Sequence, residues 1–225
     1  MSSTVVFDIE TQNKISEMPG SDRVDQVRNL QVSCLSFLVL DSDRLLESKE
    51  DAARAVECGE MTTLWRDEDV DKRGPFEPLF RAFDEAELIC SYNGLGFDHH
   101  VLAKHCLRRR GGAHLRKVHD PFSRLKETLG AHAKLDDLLK VNGLKTKTAN
   151  GLAAIKMWRD GERDLLKTYC EQDVRALARM LALPELKLSN TETVVPNYLF
   201  GVASALAASR ASRSLRLEFD EAFEA

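Results

Sequence analysis

Thr4-Val5-Val6-Phe7-Asp8-Ile9-Glu10-Thr11 is an apolar run that closes on two carboxylates. Its spacing predicts a strand over Thr4–Ile9. Side chains alternate along a strand, so Val5, Phe7 and Ile9 share one face while Val6, Asp8 and Glu10 share the other. Two acids therefore leave one strand end on the same side. Alone this is an ordinary solvated strand end, and its meaning depends on what the rest of the chain brings to it.

Two further acidic motifs follow in order. Asn93-Gly94-Leu95-Gly96-Phe97-Asp98 comes after a second apolar run, Glu87–Tyr92, and Asn93-Gly94 breaks that predicted strand. Asp98 then opens a predicted helix over 98–109. Tyr169-Cys170-Glu171-Gln172-Asp173 lies inside a predicted helix over 163–183. Tyr169 and Asp173 are four residues apart and share a helix face. Asp173 falls on the stripe Leu166, Cys170, Leu177 and Leu181. An acid on an apolar stripe is expensive to bury without a partner, and a metal ion is a sufficient one. Glu171 turns away from that face. His99 and His100 are adjacent on their helix and cannot both face one site, which points to packing or solvent.

The chemistry suited to four carboxylates and a phenol is attack on an anionic phosphodiester. In two-metal sites, with ions roughly 3.5–4 Å apart, one ion activates a water and the other stabilises the leaving oxygen. Mg²⁺ and Mn²⁺ prefer oxygen ligands, so carboxylates are the right residue type. Tyrosine ionises near ~10 and is a poor base at neutral pH, so Tyr169 is assigned the orientation of the attacking water.

The ordered set Phe-Asp-Ile-Glu-Thr at 7–11, Asn-Gly-x-x-Phe-Asp at 93–98 and Tyr-x-x-x-Asp at 169–173 resembles the three motifs of the DEDD superfamily of 3′–5′ exonucleases. The resemblance spans roughly residues 4–183. It implies a ribonuclease-H-like fold. It also implies that Asp8, Glu10, Asp98 and Asp173 are the metal ligands and that Tyr169 orients the water. Thr11 would lie near the terminal nucleotide, and Asn93 and Phe97 would shape the site. The superfamily's histidine branch carries its histidine five residues before the last Asp. Thr168 stands there, while Tyr169 fits the tyrosine branch, as in polymerase proofreading domains. The implied reaction is two-metal hydrolysis at a 3′ end, single-stranded or frayed, DNA or RNA, releasing nucleoside 5′-monophosphates. Two rivals stand beside it: a non-catalytic nucleic-acid-binding module on the same fold, and a ribonuclease-H-like endonuclease.

The remaining sequence frames these motifs. The 225 residues are 43% hydrophobic and 30% charged, enough for a sizeable core. Strands come early, alternate with helices, and give way to a helical last third. This reads as α/β, a central mixed sheet flanked by helices, with one exonuclease-like domain over 1–209 and a tail over 210–225. The stretch 11–31 reads as a long polar loop. A return strand is expected between Arg44 and Trp65, interrupted by the charged residues 47–54. Pro75 suits the first position of a helix over 75–86, Asp120 suits the cap of a helix over 121–129, and a helix is expected over 195–209. Trp65 and Trp158 read as core.

The net charge of -4 counts mildly against a nucleic-acid partner. Lys104, Arg108, Arg109, Arg110, Arg116 and Lys117 nevertheless form a basic block beside the second motif. Lys145 and Lys147 are candidates for backbone phosphate contacts. Five scattered cysteines without metal-ligand spacing suggest reduced thiols in a cytoplasm-like compartment. No apolar run reaches membrane-helix length, and no secretory leader is evident.

Overall fold

Nine residues of β1 (Ser3–Thr11) form the centre of the molecule. The computed structural model describes residues 2–68, 74–110, 113–130, 132–145, 151–188, 194–196 and 205–211, without the side chains of 49, 106–110, 128, 129 and 194–196. β1 pairs antiparallel with β2 (Val32–Asp41), which pairs antiparallel with β3 (Glu60–Trp65). On its other side β1 pairs parallel with β4 (Leu88–Cys90), and β4 pairs parallel with β5 (Val118–His119). The order β3-β2-β1-β4-β5 makes a mixed sheet with β1 in the middle.

The predicted alternation along β1 sorts the core. Val5, Phe7 and Ile9 pack in one buried cluster with Leu79, Phe83 and Val101. These come from α4 (Glu77–Glu85) and α5 (Asp98–Arg110). Val6 packs in the other cluster with Val174 and Leu177 of α9 (Arg163–Leu181). Asp8 and Glu10 therefore lie on the α9 face of the sheet. α9 buries Leu166, Cys170, Leu177 and Leu181, the predicted stripe. Each large apolar side chain buried this way contributes about 1.5–3 kcal/mol. That is enough to carry one acid on the same stripe.

Four segments differ from the sequence expectations. The polar stretch after β1 holds a short 3-10 turn (Ile15–Glu17) and α1 (Arg23–Asn29). Asp22 caps α1 by accepting from the Asp25 N–H at 2.9 Å, and Val27 and Leu30 are buried. Only these two apolar anchors hold it, too few to show as a period. The charged residues 47–54 are helical, in α2 (Arg44–Glu47) and α3 (Lys49–Cys58), with Ser48 capping α3. Ala52, Ala55 and Val56 are its buried face, small residues that give a weak signal. In α4 the proline in the first turn is Pro78 rather than Pro75.

The predicted helix over 195–209 is also displaced. Val194–Pro196 is β7, paired antiparallel with β6 (Glu185–Lys187), and helix occupies 205–211 among the described residues. Asn142, following α7 (Leu135–Val141), clamps β6: its Oδ1 accepts from Lys187 N at 2.8 Å and its Nδ2 donates to Lys187 O at 2.9 Å. Arg210 reaches back to Glu87, Nε to Oε1 at 3.0 Å, and to Asp43 at 2.7 Å. Cys34, Cys58, Cys90 and Cys170 are free thiols. No described helix is long and apolar enough to cross a membrane.

Candidate active site

The end of β1 and the middle of α9 meet in a cluster of acids. Asp8, Glu10 and Asp173 each offer a carboxylate oxygen, and these oxygens lie within 4.8 Å of one another. Asp8 is half-buried, whereas Glu10 and Asp173 are 7% and 3% exposed. The bulge between Glu10 and Thr11 ends the regular pairing with β2 and lets the chain turn away beyond the second acid. Behind the cluster, the Cys170 thiol donates to the Asp8 carbonyl at 3.7 Å, tying α9 to the strand.

Asp98 enters from the other side of β1, as the first residue of α5. Burial pushes its carboxyl well above the usual carboxylate range, and the neighbouring charge of Asp8 pushes the same way. Hydrogen bonds from its own backbone and from the Ile9 N–H work against that shift. Asp98 is thus seated beside Asp8, outside the tight group of three oxygens. Tyr169 and Asp173 share a helix face, as their spacing predicts, and the Tyr169 hydroxyl hydrogen-bonds to Asp173. Burial first, then the charges of Glu10, Asp173 and Asp8, raise its pKa above the ordinary tyrosine value, so it stays protonated at neutral pH.

The loop that delivers Asp98 is held by Asp120. The Asp120 carboxylate accepts from Asn93 N at 2.8 Å and Leu95 N at 3.1 Å, while capping α6 (Pro121–Leu129) through Phe122 N at 3.1 Å. Asn93 takes a left-handed backbone, φ 60°, which asparagine tolerates. Gly94 is required by space: a Cβ there would sit 1.8 Å from the Ser91 hydroxyl oxygen. The sequence marks Asp120 as a cap because Pro121 follows it. Its second role joins residues more than twenty positions apart and leaves no local trace.

A cavity of about 990 Å³ opens over the acids. Asp8, Glu10, Asp98 and Tyr169 line it, together with Thr11, Asn93 and Phe97. Its outer walls include Arg23 of α1 and Leu152 of α8 (Gly151–Arg159). Lys145 is exposed beyond α7 and is no part of that wall, while Lys147 lies outside the described residues.

The basic block is divided. Lys104 donates to the Leu30 carbonyl at the end of α1, and Lys117 donates to Phe83 O at 3.2 Å and Asp84 O at 2.7 Å at the end of α4. These two lysines satisfy helix-terminal carbonyls. The side chains of Arg108, Arg109 and Arg110 lie outside the described residues.

The residues set aside on sequence grounds pack as expected. His99 is buried against Phe7 and Phe83, and burial, helped by His114 and His100, pulls its pKa down to about 4. Glu171 turns to Thr63 of β3, whose hydroxyl donates at 2.7 Å. Trp65 and Trp158 stack at 6.3 Å, with Arg163 over both rings.

Comparison with known proteins agrees with this architecture. The structure is similar to that of the family B DNA polymerase from the hyperthermophilic archaeon Pyrobaculum calidifontis, with a TM-score of 0.53 and 18% identity over 92% of this chain. The chain spans 27% of that polymerase's length, and at this identity the likeness is one of fold. No match was found among curated proteins. Residues 55–183 match the RNase_H superfamily, a span that holds Asp98, Tyr169 and Asp173 and covers more than half of the sequence. The chain belongs to the RNase_H superfamily.

Proposed function

We propose that this chain is a metal-dependent 3′–5′ exonuclease of the DEDD type, tyrosine branch, acting on single-stranded or frayed ends. The observation that carries the reading is the meeting of Asp8, Glu10 and Asp173 oxygens within 4.8 Å, beside Asp98 and under Tyr169. Membership of the RNase_H superfamily supports a nuclease. Residues 1–209 are read as one unit of this kind and 210–225 as a tail.

The donor set fits hard divalent cations. All four acids offer oxygen, three of them are nearly buried, and burial and the Asp8 charge raise the Asp98 carboxyl above its usual range, a stress that a cation relieves. Asp8, Glu10, Asp98 and Asp173 would hold the ions. When bound, Mg²⁺ or Mn²⁺ supplies positive charge to the phosphodiester and lowers the pKa of a coordinated water. The Tyr169 proton is engaged with Asp173, so its oxygen lone pairs are left to accept from that water and orient it. Thr11, Asn93 and Phe97 line the space where the terminal nucleotide is placed.

A 5′-labelled single strand digested with Mg²⁺ or Mn²⁺ is expected to give a ladder shortened one nucleotide at a time. Cleavage of a circular single strand would favour an endonuclease, and binding without cleavage would favour the non-catalytic module. Metal uptake carries a second expectation. Asp98 holds a proton over a higher pH range than an ordinary carboxylate and must lose it to ligate. Affinity for Mn²⁺ therefore rises with pH through that raised range. Calorimetry in two buffers of different ionisation enthalpy is expected to register proton release. Binding without release would place Asp98 outside the metal shell.

A further inference from the structure

We propose that Arg23 anchors the phosphodiester immediately 5′ to the scissile one, so that α1 is the wall that recognises a strand extending past its last two nucleotides. The proposal rests on the exonuclease reading and extends it to the substrate. The cavity holds about 990 Å³, the upper end of the range of small-ligand pockets, so it reaches past a terminal nucleotide. Its acidic side is Asp8, Glu10 and Asp98, and that side repels the strand except where cations intervene. The same cavity is lined by Arg23 and Gln26, three residues apart on one face of α1. Arg23 forms no ion pair or hydrogen bond with another side chain among the described residues. Its neighbour Arg28 leans toward Asp25 at 3.9 Å. Guanidinium binds phosphate oxygens through paired N–H groups, and the Gln26 amide can donate beside it.

A phosphate subsite also needs a rigid support. The stretch expected to be a loop supplies one. Val27 and Leu30 are buried in the cluster around Phe7, and Lys104 of α5 holds the Leu30 carbonyl. Asn29 Nδ2 donates to Pro19 O at 2.9 Å, closing the loop that precedes the helix. A Cβ on Gly20 would meet Gln26 N at 2.6 Å, so glycine lets that loop press against α1. The helix is thereby fixed with Arg23 on the cavity side.

The test compares kcat/KM for a trinucleotide and a dinucleotide with 5′-hydroxyl ends, since the dinucleotide lacks the second linkage. The wild-type chain is expected to prefer the trinucleotide by about 10-fold, the size of one charge-assisted hydrogen bond, chiefly through KM. R23Q is expected to lose most of that preference, and R23K to keep part of it. A trinucleotide with a neutral methylphosphonate at the second linkage should be about 10-fold poorer for the wild type and little changed for R23Q. For a longer strand, R23Q should lower the slope of log affinity against log salt by about 0.7. Arg23 is exposed, so an unchanged melting curve is expected to accompany these losses. An active wild type whose preference is the same in R23Q overturns the Arg23 subsite alone. A wild type that degrades no oligonucleotide with either metal overturns the exonuclease reading, and the subsite with it.

Discussion

Asp173→Asn is expected to lower metal-dependent hydrolysis of a single strand by at least about 1,000-fold while raising the melting temperature of the metal-free chain. The two effects have one source. Asp173 is 3% exposed on the apolar stripe of α9, with the oxygens of Asp8 and Glu10 within 4.8 Å. Like charges packed this closely disfavour the folded chain until a cation joins them. Asparagine removes one charge, keeps the shape, and leaves an oxygen to accept the Tyr169 hydrogen bond. Relief of about 1 kcal/mol corresponds to a rise of about 2–4 °C for a chain of this size. The rate falls because a neutral amide is a poor ligand for Mg²⁺ or Mn²⁺, and 1,000-fold is about 4 kcal/mol of lost stabilisation. Adding Mn²⁺ should raise the melting temperature of the wild type and have little effect on the variant. Activity within about tenfold of wild type would remove Asp173 from the centre. A variant that melts lower without metal would mean that the charge is satisfied within the fold.

The parts of this site legible in the sequence are those set by periodicity. The alternation in β1 puts Asp8 and Glu10 on one face, and the four-residue step in α9 puts Tyr169 over Asp173. Both hold because Phe7 and Ile9, on the opposite face of the strand, and Leu166 and Leu177, on the same helix stripe as Asp173, are strongly apolar and take fixed places in the core. Asp98 was legible as a helix start after a strand break. Its place beside Asp8 depends on β4 pairing parallel to β1, which no local pattern announces.

The elements without a strong sequence signal are held by a few contacts or small side chains rather than by a stripe of large apolar residues. α1 stands on Val27 and Leu30, with its end tied by a lysine from another helix. β6 is held by the side chain of Asn142, 45 residues away along the chain. In the basic block charge alone says nothing of its use: Lys104 and Lys117 are spent on carbonyls at helix ends.

Asp120→Asn is expected to destabilise the chain by about 3 kcal/mol and to reduce activity about 100-fold, with partial recovery at high Mn²⁺. The carboxylate accepts from the backbone N–H groups of Asn93, Leu95, Phe122 and Ser123 and from the Ser123 hydroxyl. At 2% exposure no water replaces it. An amide has one acceptor oxygen and turns an NH₂ toward the remaining donors, and each buried N–H left unsatisfied costs about 1–3 kcal/mol. An opposing effect is present: removing the Asp120 charge eases ionisation of Asp98. That charge is a smaller influence on Asp98 than burial or Asp8, so the loss of the scaffold wins. Asp98 follows the 93–97 loop directly, and its carboxyl is held by the Ile9 N–H only while that loop keeps its path. Slackening the loop should weaken metal binding more than it weakens the chemistry of the loaded site. The midpoint of the rate against Mn²⁺ concentration is then expected to move upward, with much of the rate regained at saturation. A variant that melts lower but keeps its Mn²⁺ midpoint would make Asp120 a helix cap alone and leave the placement of Asp98 to β4 and α5.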